Sequence, residues 1–214
     1  MDCCTHNASV PVQTWSDKFS LYHIQIMIPS QQKEASGDKV VARRRVILLT
    51  GDGKGKTTSA LGMVLRAVGH GLKVCVVQFI KGRRDTGEAR ALALLPGVEL
   101  HVCGRGFVRE REEPVFEVHA EAARDGLRLA AARLRDVAYG MVVLDEICGA
   151  VACGLLDAAQ LHDALDGASD GMVVVLTGRD ASPELIEMAD TASRIESIKH
   201  AMETGCPAQK GVEW

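Results

Sequence analysis

The chain has 214 residues, of which 47% are hydrophobic and 25% are charged, a balance that favours one soluble domain with a sizeable core. Its formal net charge of −3 at pH 7 excludes a general electrostatic attraction to nucleic acid or to anionic membranes. The seven cysteines are an odd number without a Cys-x-x-Cys pair, which argues against a disulfide framework.

Residues 1–40 are predicted to form an N-terminal arm, separate from a domain of residues 41–214. Apolar and polar residues alternate over residues 21–28, which predicts a strand, and residues 29–38 are polar and loop-like. We expect this arm either to be disordered or to cover a binding site. It lacks a basic region followed by an apolar stretch, and no apolar run of the chain approaches the roughly 20 residues that span a bilayer. These features predict a cytoplasmic protein with no membrane partner.

An apolar run at residues 46–49 leads into a glycine-rich turn at residues 50–58 and then into a helical pattern over residues 56–68. The order strand, glycine-rich turn, helix is typical of a phosphate-binding loop, because glycines let backbone N–H groups approach an anion at the helix N-terminus. Lys56 would reach the outer phosphates, and the Thr57 hydroxyl would bind Mg²⁺ or Mn²⁺. The turn is short: three residues separate Gly51 from Gly55, and Thr50 stands where the usual first glycine would be. The alternative is a glycine-rich turn with two solvated lysines.

Further apolar runs, separated by helical patterns, predict strands at residues 73–80, 98–102, 141–144 and 172–176, with a sixth strand at residues 194–198. A helix is predicted at residues 88–95, a long one at 114–136 with an apolar stripe, and another beginning at Ser182. Near-continuous apolar strands that alternate with helices indicate a buried parallel sheet. The predicted fold is a single α/β domain, P-loop NTPase-like (RecA-like), with a mostly parallel central sheet flanked by helices.

Asp145 and Glu146 follow the fourth predicted strand directly. A carboxylate at the carboxyl end of a strand, in a sheet that also carries a P-loop, is suited to hold the magnesium ion directly or through water. Glu146 would be a second metal-binding group or a base that activates water. The alternative is a strand that ends in two acidic residues without a function.

Taken together, these motifs resemble the ATP:corrinoid adenosyltransferases of the CobA/BtuR/CobO type, including cob(I)yrinic acid a,c-diamide adenosyltransferases. The matching stretches are residues 50–58, 66–71, 76–82, 87–88, 106–107, 142–146, 177–179, 199–201 and 208–211. The shortened P-loop is itself part of the family pattern, and the resemblance covers about four fifths of the chain, from residue 45 to residue 214.

The resemblance implies an enzyme that binds MgATP with the ribose C5′ facing a corrinoid, and a Co(I) centre that attacks C5′ and expels triphosphate. It also implies a homodimer and a reduced, flavodoxin-like flavoprotein as electron donor. The residues expected to bind ATP are Gly51, Asp52, Gly53, Lys54, Gly55, Lys56, Thr57, Thr58, Arg66 and Arg179. Those expected to serve catalysis are Lys56, Thr57 and Glu146, and those expected to serve the metal are Thr57, Asp145 and Glu146. The alternative for Arg179 is an arginine at the end of a strand that lies on the surface without contacting phosphate.

The corrinoid is expected to face Phe107, Arg109 and Glu88. In related enzymes two aromatic residues after the third strand help to displace the lower axial ligand of the cobalt; Phe107 matches the first, whereas Arg109 stands where tryptophan is usual. Either the enzyme acts on corrinoids with a weak or absent lower ligand, or another aromatic residue fills the gap. Two other functions remain open: a RecA-like ATPase and a non-catalytic carrier of nucleotide or corrinoid.

Overall fold

A computed structural model of the protein describes residues 43–82, 85–106 and 115–213. Six parallel strands form one sheet in the order β3-β2-β4-β5-β1-β6. Their bounds are β1 Arg45–Thr50, β2 Val74–Gln78, β3 Val98–Val102, β4 Met141–Asp145, β5 Val173–Thr177 and β6 Thr191–Arg194. The predicted α/β fold with a parallel central sheet is confirmed.

Six α-helices and one 3-10 helix accompany the sheet in the described part of the chain. The bounds are α1 Lys56–Gly69, α2 Gly87–Leu92, α3 Phe116–Arg135, α4 Ile147–Ala152, α5 Ala158–Asp166, α6 Pro183–Glu187 and the 3-10 helix Ala201–Thr204. Among these residues, none of the helices combines the length and the apolarity needed to cross a bilayer. The predicted strand at residues 21–28 and the rest of the arm lie outside the described residues.

The two faces of the sheet bury two separate apolar clusters. Successive side chains of a strand point to opposite faces, so Val142 and Leu144 join one cluster while Val143 joins the other. Helices α3, α4 and α5 cover the first face, and α1 and α2 cover the second. Burial on both faces explains why the central strands are almost entirely apolar.

Helix α3 has the apolar stripe that its sequence predicts. Ala120, Ala123, Leu127, Ala130 and Leu134 are buried in one row, and Phe116 packs beside them. The opposite face carries exposed ion pairs that Arg124 forms with Glu117 and Glu121, and that Arg128 forms with Asp125 and Glu121. This pattern makes α3 a packing element.

Between β4 and the C-terminus, one strand lies at a different position from the predicted one and two helices were not predicted. The sixth strand is Thr191–Arg194 and not residues 194–198, because it pairs with β1 in a register that sets Thr191 beside Ile47 and Arg194 beside Thr50. Its four residues are exposed and lack an apolar run, so the pattern could not locate it. Helices α4 and α5 were not predicted, although Asp157 and Gln160 form a capping box at the start of α5.

The sheet topology determines where a site can form. The glycine-rich turn follows β1 and Asp145 ends β4, and these strands are separated in the sheet by β5 alone. Because all strands are parallel, both carboxyl ends lie at the same edge of the sheet. Ligands of open α/β sheets bind at this edge.

A polar cluster around Glu99 fastens the edge strand β3 to the sheet and to α3. Tyr139 and Arg133 donate hydrogen bonds to the Glu99 carboxylate, the latter at 3.1 Å from Nε to Oε2, and the Lys73 ammonium lies 3.4 Å from Oε1. Lys73 also lies 4.1 Å from the centroid of the Tyr139 ring. The Tyr139 hydroxyl, followed by the Arg133 guanidinium, lowers the pKa of Glu99 to about 2.

We expect Glu99→Gln to lower the free energy of unfolding at pH 7 by roughly 1–2 kcal/mol. The range is reduced because Glu99 and its basic partners are partly exposed to solvent. The folded-state pKa lies below the unfolded one, so this contribution is complete above the unfolded pKa of about 4.3 and disappears as the pH falls towards 2. Urea unfolding of wild type and variant at several pH values measures the difference. Glu187→Gln, at an exposed position on α6, is the control; equal effects of the two changes would contradict the role of Glu99.

Candidate active site

The turn between β1 and α1 has the form of an anion-binding loop. Gly51 and Gly55 have φ values of 101° and 122°, which few other residues adopt, and no side chain caps the N-terminus of α1. The first-turn N–H groups of a helix have no partner within the helix, and the helix dipole adds partial positive charge at that end. This end of α1 can therefore receive phosphate oxygens.

Lys56 lies beneath the loop, with its side chain almost wholly buried. Its Nζ donates a hydrogen bond to the carbonyl oxygen of Gly53 at 2.9 Å, and the residue is 7% exposed. Burial lowers the pKa of Lys56, while the Glu146 carboxylate opposes that shift and the Arg179 guanidinium adds to it. The ammonium group is thus held in place before any ligand arrives, as charge stabilisation requires.

Asp145 is a fully paired carboxylate. Its Oδ1 accepts hydrogen bonds from the hydroxyls of Thr57 and Thr177, each at 2.8 Å. Its Oδ2 accepts one from Nε2 of Gln78 at 3.0 Å and lies 3.5 Å from Nζ of Lys81. With four partners and 1% exposure, Asp145 fixes the position of Thr57 at the start of α1.

Glu146 differs from its neighbour in having a carboxylate without a hydrogen bond to the described residues. Its backbone is left-handed, with φ of 64°, and its N–H donates to Oγ1 of Thr177 at 2.9 Å. Left-handed backbone in a residue other than glycine is costly and is concentrated at functional sites. Burial, followed by the charge of Asp145, raises the pKa of Glu146. A divalent cation would relieve this crowding of negative charge.

Lys81 connects the Asp145 network to helix α2. Its Nζ donates to Oε1 of Glu88 at 2.9 Å. Burial lowers the pKa of Lys81, but the carboxylates of Asp145 and Glu88 outweigh it and the net shift is upward. Burial raises the pKa of Glu88, but the hydrogen bond and the charge of Lys81 outweigh it and the net shift is downward. Glu88 is therefore a fixed, charged group.

Lys56, Lys81, Glu88 and Glu146 line one pocket of about 750 Å³, a size suited to a nucleotide or cofactor. Its lining residues are Asp52, Gly53, Lys54, Gly55, Lys56, Thr57, Thr58, Leu61, Lys81, Gly87, Glu88, Glu146, Arg179, His200, Gly211, Val212 and Glu213. The pocket joins the N-terminus of α1 to the ends of β4 and β5 and to the C-terminal residues. It is therefore built from segments that are far apart in sequence.

Most of the predicted site residues meet in this pocket, and a few do not. Asp145 is 1% exposed and does not line the pocket, although it accepts a hydrogen bond from Thr57, which does. Gly51 lies behind the loop, where an added Cβ would come within 2.4 Å of the Ile195 carbonyl oxygen. Arg66 is exposed in the last turn of α1, about 15 Å along the helix from Lys56 at 1.5 Å per residue, and does not line the pocket of its own chain. Phe107 and Arg109 lie outside the described residues.

Comparisons with known proteins match this arrangement to one family. A family model described as ATP:corrinoid adenosyltransferase BtuR/CobO/CobP matches residues 42–214. The chain is 41% identical over 191 residues to a corrinoid adenosyltransferase of Pseudomonas aeruginosa, covering 86% of this chain and 93% of the relative. It is 40% identical over 169 residues to a corrinoid adenosyltransferase of Escherichia coli K12, covering 79% of this chain and 85% of the relative. The chain belongs to the ATP:corrinoid adenosyltransferase family.

Further support comes from the corrinoid adenosyltransferase CobA of Salmonella typhimurium, which is 40% identical over 171 residues and is covered to 85% of its length. The family resemblance inferred from the motifs is confirmed, and with it the assignment of this chain to the transferases. The roles of the individual pocket residues in the adenosyltransferase remain predictions.

Sequence reasoning missed several residues of the adenosyltransferase pocket and its support. Gln78 is the one polar residue of β2, and a polar side chain at the end of a buried strand was the available signal. Thr177 ends β5 in the same way. Lys81 carried no comparable signal, because an exposed lysine in a loop is common. Its role emerges from the 2.9 Å contact with Glu88.

Proposed function

We propose that this adenosyltransferase transfers the 5′-deoxyadenosyl group of MgATP to the Co(I) centre of a corrinoid and releases inorganic triphosphate, in the synthesis or salvage of adenosylcobalamin. The observation that carries the proposal is one pocket lined by the N-terminus of α1, Lys56 and Arg179 together with the carboxylates of Glu146 and Glu88. The helix N-terminus and the two cations can bind a phosphate chain.

The reaction needs charge stabilisation and not a protein nucleophile. The electron pair of Co(I) forms the bond to C5′, the bond between C5′ and the phosphate oxygen breaks, and its electron pair leaves with triphosphate. Negative charge therefore grows on the leaving oxygen. Lys56, the N–H groups of Lys56, Thr57 and Thr58, and Arg179 are the groups of this chain that would stabilise it.

The residues proposed to serve the metal fit a divalent cation. Thr57 is held by Asp145, whose two oxygens are fully paired, so we propose that Asp145 acts by orienting the Thr57 hydroxyl. The carboxylate of Glu146 makes no hydrogen bond within the described part of the chain, and the residue lines the pocket. A bound Mg²⁺ or Mn²⁺ would neutralise phosphate charge. The chain supplies the hydroxyl of Thr57 and the carboxylate of Glu146 for that purpose.

The corrinoid is proposed to approach from the wall opposite the P-loop, where Lys81 fixes Glu88. Phe107 and Arg109 follow β3 closely in sequence, and we propose that they contact the corrin. We further propose, from the family resemblance, that a reduced flavoprotein delivers the electron that converts Co(II) to Co(I), and that two copies of the chain form the working homodimer.

Arg109→Trp is expected to accelerate the reaction of a corrinoid with a bound lower base more than that of one without it. An indole excludes a ligand better than a hydrated guanidinium, so the gain should appear only where a ligand must be displaced. Steady-state rates on the two corrinoids, starting from Co(II) and reduced flavoprotein, measure the ratio. Equal acceleration of both would contradict a role of Arg109 in ligand displacement.

Analysis of phosphate products distinguishes this function from its alternatives. Protein, MgATP and Co(I) corrinoid are incubated anaerobically, with parallel samples that lack corrinoid, and products are separated by ³¹P NMR. The proposal predicts that inorganic triphosphate forms only in the samples that contain corrinoid. Orthophosphate released equally in both samples would indicate an ATPase, and binding of ATP without any product would indicate a carrier.

A further inference from the structure

The P-loop rests on the chain that follows β6. The N–H of Gly53 donates to the carbonyl oxygen of Ile195 at 2.8 Å, and the N–H of Ile195 donates to the carbonyl oxygen of Thr50 at 2.8 Å. A Cβ added to Gly53 would lie 2.6 Å from the carbonyl oxygen of Glu196, so a larger residue would not fit. The loop and the C-terminal residues therefore form one packed unit on this side of the pocket.

Lys54 attaches the end of the chain to the loop. Its Nζ donates to the carbonyl oxygen of Val212 at 2.7 Å and lies 3.6 Å from Oε1 of Glu213. The other carboxylate oxygen of Glu213 accepts the N–H of Gln209 at 2.7 Å, which closes the final turn. The ammonium of Lys54 is thus engaged by protein groups, unlike a lysine that is free to bind phosphate.

His200 and Glu213 are the polar residues of this segment that line the pocket, and they differ in burial. His200 is half-buried, whereas the other described residues from 196 to 213 are exposed. Its Nδ1 accepts the N–H of Met202 at 3.2 Å. An accepting Nδ1 carries no proton, so the proton of the imidazole is on Nε2, which is a hydrogen-bond donor.

We infer that residues 200–213 form a nucleotide-binding wall, in which His200 donates from Nε2 to an oxygen of the phosphate chain and Lys54 is a positioning residue that holds the wall in place. The inference rests on the proposed function of the pocket. A phosphate oxygen is the fitting acceptor because the N-terminus of α1, Lys56 and Arg179, which favour anions, line the same pocket as His200. The pocket is also lined by acidic residues, and among the described residues none of them accepts the Nε2 proton of His200; they are Asp52, Glu88, Glu146 and Glu213.

The first test measures binding of MgATP and of inorganic triphosphate by calorimetry, without corrinoid. His200→Ala is expected to raise both dissociation constants about tenfold to a hundredfold, the loss of one hydrogen bond to a charged group. His200→Gln, which keeps a donor, should recover most of the affinity, and the KM for corrinoid should not change. The melting temperature should also stay unchanged, because the segment is exposed and outside the core.

Wild-type affinity of His200→Ala for both probes would overturn the inference while leaving the proposed function intact. Failure of the wild type itself to bind MgATP would overturn the proposed function and this inference with it. The two outcomes are separated by the wild-type measurement alone.

The second test is a double-mutant cycle between Lys54→Met and His200→Ala. If Lys54 acts by holding the wall, its loss weakens MgATP binding in wild type but adds little in the His200→Ala background. Hydrogen exchange of residues 200–213 should also speed up in Lys54→Met. Additive losses with unchanged exchange would mean that Lys54 binds phosphate directly, and would overturn its positioning role.

Discussion

Lys56→Ala is expected to lower kcat by a factor of at least about 100, the effect of removing one stabilising donor from a transition state. The side chain is nearly buried and its ammonium is already fixed beneath the loop, so the substitution removes a positive charge from a defined position. Anaerobic single-turnover rates with Co(I) corrinoid measure the loss, since they isolate the transfer from cobalt reduction. Circular dichroism checks that the variant is folded.

Arg128→Ala is the control for Lys56→Ala. Arg128 is also basic, but it is exposed on α3 and does not line the pocket. We expect the rate of Arg128→Ala to stay within about twofold of wild type, as for a surface substitution away from the site. Near-normal turnover of Lys56→Ala would refute the proposed position of the triphosphate.

Asp145→Asn and Glu146→Gln are expected to separate stability from activity at adjacent positions. Asp145 accepts from Thr57, Thr177 and Gln78 within the core, and an amide cannot accept all of these bonds. We expect Asp145→Asn to lower the free energy of unfolding by roughly 2–4 kcal/mol and turnover by about 100-fold or more. Chemical denaturation and single-turnover kinetics measure the two effects.

Glu146→Gln should lose turnover by a similar factor without losing stability. Its carboxylate makes no hydrogen bond to the described residues and is crowded by Asp145, so a neutral amide removes an unfavourable charge. Unfolding is measured without nucleotide or divalent metal, so that ligand binding does not contribute. A Glu146→Gln protein that is strongly destabilised, or one that retains full turnover, would contradict the assigned role.

The strand–turn–helix unit around the P-loop could be predicted because its signals are local. Glycines mark the turn, the apolar run marks β1, and α1 begins at Lys56 as the pattern indicates. Strand β3 and the apolar stripe of α3 were predicted for the same reason. These elements bury a regular apolar face, and burial leaves a periodic trace in the sequence.

The remaining structure depends on contacts between distant segments. The side-chain amide of Gln78 meets Asp145 across 67 positions of sequence, and Lys54 meets Val212 across 158. Such pairs follow from the strand order and from the path of the C-terminal residues, neither of which has a local pattern. Edge strand β6 was misplaced for a related reason, since its exposed residues need no apolar alternation.

Adenosyl transfer is measured most directly by mixing the protein anaerobically with MgATP and a chemically reduced Co(I) corrinoid and following the absorbance spectrum. Chemical reduction bypasses the removal of the lower ligand, so the assay reports the transfer step alone. The proposed function predicts a light-sensitive alkylcobalt spectrum and a corrinoid whose mass has increased by one 5′-deoxyadenosyl group. A Co(I) corrinoid that stays unalkylated while MgATP is bound would contradict it.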